Sequence, residues 1–241
     1  MNINYLEWDS SFFDLKIGKV LYLEKNNSSS EIDEILTKSQ NENYDLIYLI
    51  GNQNLKIESS LLLKHNGQLV DKKVIYEKEI ITNLYEYDDV EEYKDVSVVK
   101  ELEKLAFESG KFSRFRKDTN FKNTDFERLY KLWMQNSVNK QIADKIFILK
   151  REINIVAMIT LKITSNCGTI GLLAVNSSEK GKGFGKKLIG ASQNYLFENE
   201  IRKLNVATQL NNKIACSFYE ACGFRIKDIN NIFHFWLKKT D

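Results

Sequence analysis

The sequence predicts an α/β fold in two domains, a smaller one over residues 1–88 and a larger one over residues 89–241. Three observations predict this organisation. In the first half, apolar runs of strand length alternate with segments of helical periodicity. In the second half, two helical patterns precede a series of three strand-like runs. The last of these runs leads through a glycine-rich turn into another helical pattern, which is a common connection in α/β proteins.

The first half has the order of a βαβαβ-like unit. Its predicted strands lie at 15–24, 45–50 and 70–80, and its predicted helices lie at 30–42 and 55–65. We expect some parallel pairing here, because parallel strands need a crossover between them. No catalytic constellation stands out in this half. The acidic, tyrosine-rich run Tyr85–Tyr93 is predicted to be a solvent-facing linker.

The second half begins with a predicted helix that ends near Glu108. Thr124 and Glu127 are predicted to form a capping box that opens the next helix. An apolar stripe on that helix is predicted to be core, and it consists of Phe126, Leu129, Tyr130 and Trp133. The remaining strands are predicted at 146–150, 153–164, 169–175 and 204–208, with a closing hairpin of 225–228 and 232–237.

Composition excludes several classes of protein. Hydrophobic residues make up 43% of the chain and charged residues 28%, as in ordinary globular proteins, and the net charge of +2 provides no basic field for non-specific nucleic-acid binding. No apolar run has the length of a membrane span and no signal peptide is recognisable, so the cytoplasm is expected. Neither a disulfide framework nor a metal site is expected from Cys167, Cys216, Cys222, His65 and His234.

The turn Lys180–Gly185 has the composition of a phosphate-binding loop. Gly181, Gly183 and Gly185 have no Cβ atoms that would block an approaching diphosphate, and they can adopt positive φ angles. The following helix start supplies unpaired N–H groups and a favourable dipole. Positive charge is added nearby by Lys180, Lys182, Lys186 and Lys187. The alternative is a solvated loop, but its position between a strand and an amphipathic helix favours binding.

A second pattern follows the strand at 204–208. Asn212, Ala215 and Tyr219 have the spacing i, i+3 and i+7, which places them on one face of a helix. Gly223 stands where a helix ends in the left-handed conformation. Such a face can lie against a thin ligand and present a phenol at its end. The alternative is that Tyr219 is an ordinary core tyrosine.

At these residues the chain resembles the GCN5-related N-acetyltransferase (GNAT) superfamily, over about residues 95–241. The turn Lys180–Gly185 matches the Gln/Arg-x-x-Gly-x-Gly/Ala motif, with Lys in the first position, and Ser177 stands where the family often has proline. The resemblance implies a mixed, mostly antiparallel sheet flanked by helices and acetyl-CoA as the acetyl donor. It implies a backbone N–H near Val175 as the oxyanion donor and Tyr219 as the catalytic acid. The implied cofactor-binding residues are Leu173, Ala174, Val175, Lys180, Gly181, Lys182, Gly183, Phe184, Gly185, Lys186, Asn212, Ala215 and Tyr219.

A narrower resemblance is to the dTDP-fucosamine acetyltransferases of bacterial surface-polysaccharide synthesis. It rests on short segments at 6–13, 113–115, 133–138 and 206–209. It implies a dTDP-linked amino-deoxysugar as the acceptor and a possible homodimer. Residues 110–120 are then expected at the acceptor mouth, with Arg114, Phe115 and Arg116 as substrate-binding residues, because guanidinium groups suit a diphosphate and a ring can stack on a base or a sugar.

Several alternatives stay open at this point. The acceptor could be a peptide, a polyamine or a drug amine, and only the acidic run from Glu86 to Glu92 favours this. A module that senses acetyl-CoA without turnover is a further alternative, although a sensor needs no acid at the sulfur. Glu108, Asp118 and Tyr130 are candidate general bases, with water as the alternative proton acceptor.

Overall fold

The computed structural model describes residues 2–22, 29–82 and 87–237. In chain order its elements are β1 (Ile3–Tyr5), α1 (Glu7–Phe13), β2 (Ile17–Leu21), α2 (Ser29–Asn41), β3 (Leu46–Asn52), α3 (Ser59–Lys64), β4 (Gly67–Glu79), β5 (Val90–Glu92), α4 (Lys100–Ser109), α5 (Arg114–Lys117), α6 (Asn123–Val138), β6 (Lys145–Arg151), β7 (Asn154–Thr164), β8 (Cys167–Val175), α7 (Phe184–Glu198), β9 (Lys203–Gln209), α8 (Lys213–Ala221) and β10 (Arg225–Trp236). Within the described ranges, no helix combines the length and apolar character that a membrane crossing requires.

The chain divides into two compact units. The first contains the residues up to Val74 and those from Asp228 onward, and the second contains Ile75–Lys227. The sequence-based division lies instead at 88/89. The two divisions differ because β4 and β10 each contribute residues to both units, which no local pattern in the sequence reveals. Whether 1–88 and 89–241 are independent domains stays a prediction.

In the first unit the strand order is β1-β2-β3-β10-β4. Strand β2 runs parallel to β3, as expected for a pair joined through α2, and β1 and β10 add antiparallel neighbours. Apolar side chains of α2, α3, β3 and β10 form one buried cluster, which includes Leu36, Leu61, Leu49 and Phe235. Elements β1 and α1 lie in the opening segment, for which no secondary structure was predicted.

The predicted hairpin at 225–237 is wrong. Residues Arg225–Trp236 form one strand, and its second part pairs with β3 from Asn230↔Asn52 to Trp236↔Leu46. Asn231 lies inside this strand, and its side-chain amide donates to the carbonyls of Gln53 and Leu55 at 3.2 and 3.0 Å.

In the second unit the strand order is β4-β9-β8-β7-β6-β5. The pairs β5–β6, β6–β7 and β7–β8 are antiparallel, whereas β8 and β9 run parallel. Strand β7 is buried at every position from Ile155 to Leu161. Side chains alternate between the two faces of a strand, so both faces of β7 are covered. Helices α4 and α7 both pack on β7 and β8.

Two local predictions in the second unit need correction. Residues Val90–Glu92 of the predicted linker form β5, which pairs with β6. The Glu91 carboxylate lies 2.7 Å from Lys150 Nζ. Residues 85 and 86 of the predicted linker lie outside the described ranges. The N-cap of helix α6 is Lys122, two residues before the predicted cap Thr124, and the Asp125 carboxylate, rather than that of Glu127, accepts an N–H, that of Lys122 at 3.0 Å.

Candidate active site

Strands β8 and β9 diverge, and this opening organises the site. Their parallel pairing extends from Cys167↔Lys203 to Ile170↔Val206, whereas β8 continues to Val175 and β9 to Gln209. On its other edge, β8 stays paired with β7 as far as Ala157↔Val175. The last residues of β8 therefore present one backbone edge that no strand pairs with among the described residues.

The direction of the free backbone groups follows from the alternation along β8. The N–H groups of Leu172 and Asn176 donate toward β7, to Thr160 Oγ1 at 2.8 Å and to the Val156 carbonyl at 2.7 Å. Successive N–H groups of a strand point to opposite edges, so those of Leu173 and Val175 point into the opening beside β9. The function of an amide near Val175 as oxyanion donor stays a prediction.

The turn after β8 has the conformation that its glycines predict. Gly181 and Gly183 have φ angles of +83° and +82°, and nothing lies within 4 Å of where a Cβ of either residue would stand. Gly183 is the N-cap of α7, and the first intrahelical bond runs from the Lys187 N–H to the Gly183 carbonyl at 3.1 Å. The amides that precede Lys187 have no intrahelical acceptor. This open cradle fits a diphosphate group.

Phe184 and Gly185, at the end of the turn, serve packing. A Cβ at Gly185 would lie 2.9–3.0 Å from ring atoms of Phe218, so this glycine permits the close approach of α7 and α8. Phe184 is buried, and the Arg151 guanidinium lies 4.9 Å from the centre of its ring. Phe184 was expected among the cofactor-binding residues, but its side chain belongs to the core and only its backbone can contact a ligand.

Two lysines of the turn form ion pairs. Lys180 Nζ lies 2.6 Å from Glu108 Oε1, and Lys182 Nζ lies 3.1 Å from Glu179 Oε2. Lys186 is exposed in the first turn of α7. The three amines provide positive charge around the cradle, and the two carboxylates partly offset it.

Helix α8 carries the second part of the site. Asn212 is its N-cap, and Oδ1 accepts the N–H of Ala215 at 3.2 Å. Ala215 is half-buried and Tyr219 is buried on the same face, one turn later. Gly223 has a φ of +84°, as predicted for a residue that ends a helix. Asn212 was expected to bind the cofactor, and the structure shows that its side chain caps α8. A cap side chain typically stabilises its helix by about 1 kcal/mol.

Tyr219 lies among aromatic rings. The ring centres of Tyr76, Phe218 and Phe224 are 5.9, 5.4 and 5.6 Å away. Burial raises the pKa of the Tyr219 phenol above its ordinary value of 10.0, because the interior disfavours the phenolate. Near neutral pH the side chain therefore holds its proton, as a proton donor must.

Strand β4 supports the end of α8, which the sequence patterns did not indicate. Tyr76 Oη donates to Glu220 Oε1 at 2.8 Å, and Lys78 Nζ donates to the Cys222 carbonyl at 2.7 Å. Burial lowers the pKa of the Lys78 amine. Alternation places Tyr76 and Lys78 on one face of β4, and that was the only signal in the sequence that could have linked them.

The segment expected at the acceptor mouth is largely packed. Phe115 in α5 is buried against Phe121 and Trp133, with ring centres 5.4 and 6.5 Å away. The Arg114 guanidinium lies 4.7 Å from the centre of the Phe115 ring, and Arg116 lies 5.0 Å from that of Phe126. Stacking of Phe115 on a substrate stays a prediction, and it requires this ring to leave its neighbours.

A cavity of about 640 Å³ lies between α4, the β6–β7 hairpin and the segment after β8. Its charged lining residues are Glu101, Lys104, Glu108, Arg151, Glu152 and Glu179. Glu108 is thus the one candidate general base that lines this cavity; Asp118 and Tyr130 are buried elsewhere. No group of three or more His, Cys, Asp or Glu side chains within 2–22, 29–82 and 87–237 is arranged to hold a metal ion.

A family model and several solved structures are similar to this chain. Residues 114–224 match the model of the acetyltransferase (GNAT) family. A GCN5-related N-acetyltransferase from Sphaerobacter thermophilus is 12% identical with a TM-score of 0.59, and the match covers 100% of this chain and 77% of that one. A functionally unknown conserved protein from Staphylococcus epidermidis is 12% identical with a TM-score of 0.62, over 98% and 90% of the two chains.

A third similar structure is a tandem GNAT protein from the clavulanic acid biosynthesis pathway. It is 10% identical with a TM-score of 0.56, and the match covers 93% of this chain and 76% of that one. No curated protein sequence matches the chain. At these identities the structures show the fold alone, and they confirm the predicted GNAT fold, with a mixed, mostly antiparallel sheet flanked by helices.

Proposed function

Because residues 114–224 match the GNAT acetyltransferase family and the chain has the GNAT fold, we propose that this protein transfers the acetyl group of acetyl-CoA to a primary amine. The observation that carries the proposal is the divergence of β8 from β9, which directs the Val175 N–H into an opening beside the diphosphate cradle. When bound, acetyl-CoA supplies the activated thioester.

Three tasks fall to residues of this chain. The amides of Lys182–Lys186 and the amine of Lys180 hold the diphosphate. The Val175 N–H donates to the thioester oxygen as it gains negative charge, and one such donor contributes about 3 kcal/mol to transition-state stabilisation. The acceptor nitrogen bonds to the acetyl carbon, the C–S bond breaks, and Tyr219 donates its phenol proton to the departing sulfur.

We further propose a dTDP-linked amino-deoxysugar as the acceptor. Arg114 and Arg116 support it, because guanidinium groups pair with diphosphates in a bidentate manner. The amine of such a sugar is less basic than that of lysine, so water can accept its proton near neutral pH. A cytoplasmic location and a homodimer stay predictions of the sequence.

A small cationic amine is the second candidate acceptor. The acidic run that suggested it supports it weakly, since Glu91 pairs with Lys150 and Glu92 with Lys145 at 2.7 and 2.8 Å; Glu86 lies outside the described residues. The cavity favours it more, because four carboxylates line its wall beside only two basic side chains. Neither observation supports an acetyl-CoA sensor without turnover.

Thiol release from acetyl-CoA, measured against a panel of amines, tests the proposal. The panel contains dTDP-4-amino-4,6-dideoxyhexoses, polyamines and peptides. Turnover restricted to the nucleotide sugars is the expected result. Turnover with polyamines alone would favour the second candidate, and binding of acetyl-CoA without turnover on any amine would favour the sensor.

A further inference from the structure

The first residue of the diphosphate turn already has an anionic partner. Lys180 Nζ donates to Glu108 Oε1 at 2.6 Å, across 72 positions of sequence. Glu108 lies in the last turn of α4 and lines the 640 Å³ cavity. The contact therefore joins the cradle to the wall of the cavity.

Glu108 stands in a basic environment. The hydrogen bond from Lys180 is the main reason why the pKa of this carboxyl lies below its ordinary value, and the charges of Lys180, Lys111 and Arg116 lower it further.

On the basis of the function proposed above, we propose that Glu108 is an internal counter-anion of Lys180, and that Lys180 exchanges it for the diphosphate of acetyl-CoA. A diphosphate beside Lys180 would bring like charge close to the Glu108 carboxylate, which is unfavourable. The exchange is feasible because the pair is partly exposed, with 52% of the Lys180 side chain and 29% of the Glu108 side chain accessible. Ion pairs of this kind are weak.

The exchange links the two substrates. Once Lys180 has turned toward the diphosphate, the Glu108 carboxylate in the cavity wall loses its ammonium partner. The cavity wall then carries more net negative charge, although Lys104 and Arg151 still line it. A cationic part of the acceptor is therefore bound more favourably once the diphosphate is in place.

Calorimetric titration with coenzyme A tests the exchange without any need for turnover. Glu108→Gln is expected to tighten coenzyme A binding about two- to fivefold, because the competing ion pair is removed. In a Lys180→Gln background the same substitution is expected to leave the Kd unchanged, since no ammonium is left to be competed for. Glu101→Gln is the matched control, because Glu101 lines the same cavity seven positions earlier on α4.

The outcomes separate this inference from the function on which it rests. An unchanged Kd in Glu108→Gln overturns the exchange, and so does equal tightening in both backgrounds or in Glu101→Gln, because these results indicate a general charge effect. Failure of the unsubstituted protein to bind coenzyme A would instead contradict the proposed function itself.

Discussion

The turn Lys180–Gly185 and the helix α5 (Arg114–Lys117) are both basic, and both were expected to contact a ligand, yet they are built differently. In the turn, Gly181 and Gly183 leave open space beside the backbone. In α5, Phe115 is buried and the Arg114 guanidinium covers its ring. A site made of backbone groups follows from local φ angles, whereas a site made of side chains depends on how distant neighbours fill the space.

The largest effect is expected at Tyr219, the proposed proton donor. Tyr219→Phe should lower kcat by about 10²–10⁴-fold, because general acid catalysis contributes that much. The Kd of coenzyme A should change less than twofold. Tyr76→Phe is the matched control, since its hydroxyl donates to Glu220. If the kcat of Tyr219→Phe stays within twofold of that of the unsubstituted enzyme, Tyr219 is not the proton donor.

The function of α5 is tested by Arg114→Ala. We expect the KM for the nucleotide sugar to rise about tenfold or more, as for the loss of a charged hydrogen bond. The Kd of coenzyme A should stay the same. An equal loss of affinity for the nucleotide sugar and for coenzyme A, together with a lower Tm, would mean that loss of the guanidinium above Phe115 damages the fold. Helix α5 would then be part of the core and would not bind the substrate.

Two glycines of the turn are expected to respond differently to alanine. Gly183→Ala should weaken coenzyme A binding, because its Cβ would stand in the cradle, and the left-handed φ angle should also lower the free energy of unfolding by about 1–2 kcal/mol. Gly185→Ala should lower the free energy of unfolding by about 1–3 kcal/mol, because its Cβ meets the Phe218 ring, and should leave the intrinsic affinity for coenzyme A of the folded protein unchanged. Calorimetric titration and denaturant unfolding on both variants distinguish the two positions. Identical behaviour would contradict the distinction between cradle and packing glycines.

The smallest effect is expected for the dependence of the free energy of unfolding on pH. The pKa of Tyr219 is raised in the folded state, so the unfolded chain releases this proton first as the pH rises past the ordinary value of 10.0. The free energy of unfolding should then fall by up to about 1.4 kcal/mol per pH unit for this group, while stability below pH 10 is unaffected. Denaturant unfolding between pH 8 and 11 measures this slope. Tyr219→Phe should have a shallower slope, and an equal one would argue against a buried phenol.

Much of the secondary structure was predictable because its causes are local. Predicted helices at 30–42 and 55–65 correspond to α2 and α3, and predicted strands at 146–150 and 169–175 correspond to β6 and β8. The break that was predicted between 228 and 232 is absent, and the continuity of β10 there could not be predicted, because the hydrogen-bond partners of the Asn231 side chain lie on a segment about 180 residues away. The same applies to β5, which becomes a strand only by pairing with β6.

The sequence by itself determined the glycine turn, the capped helix that carries Tyr219 and the periodicity of the helices and strands, because these depend on φ preferences and on spacing within a few residues. Only the tertiary structure decided where β8 leaves β9, that Phe115 is core, and that Glu108 holds Lys180. Each of these depends on residues far apart in the chain, whose proximity is set by strand order and packing. Local preferences carry no information about that proximity.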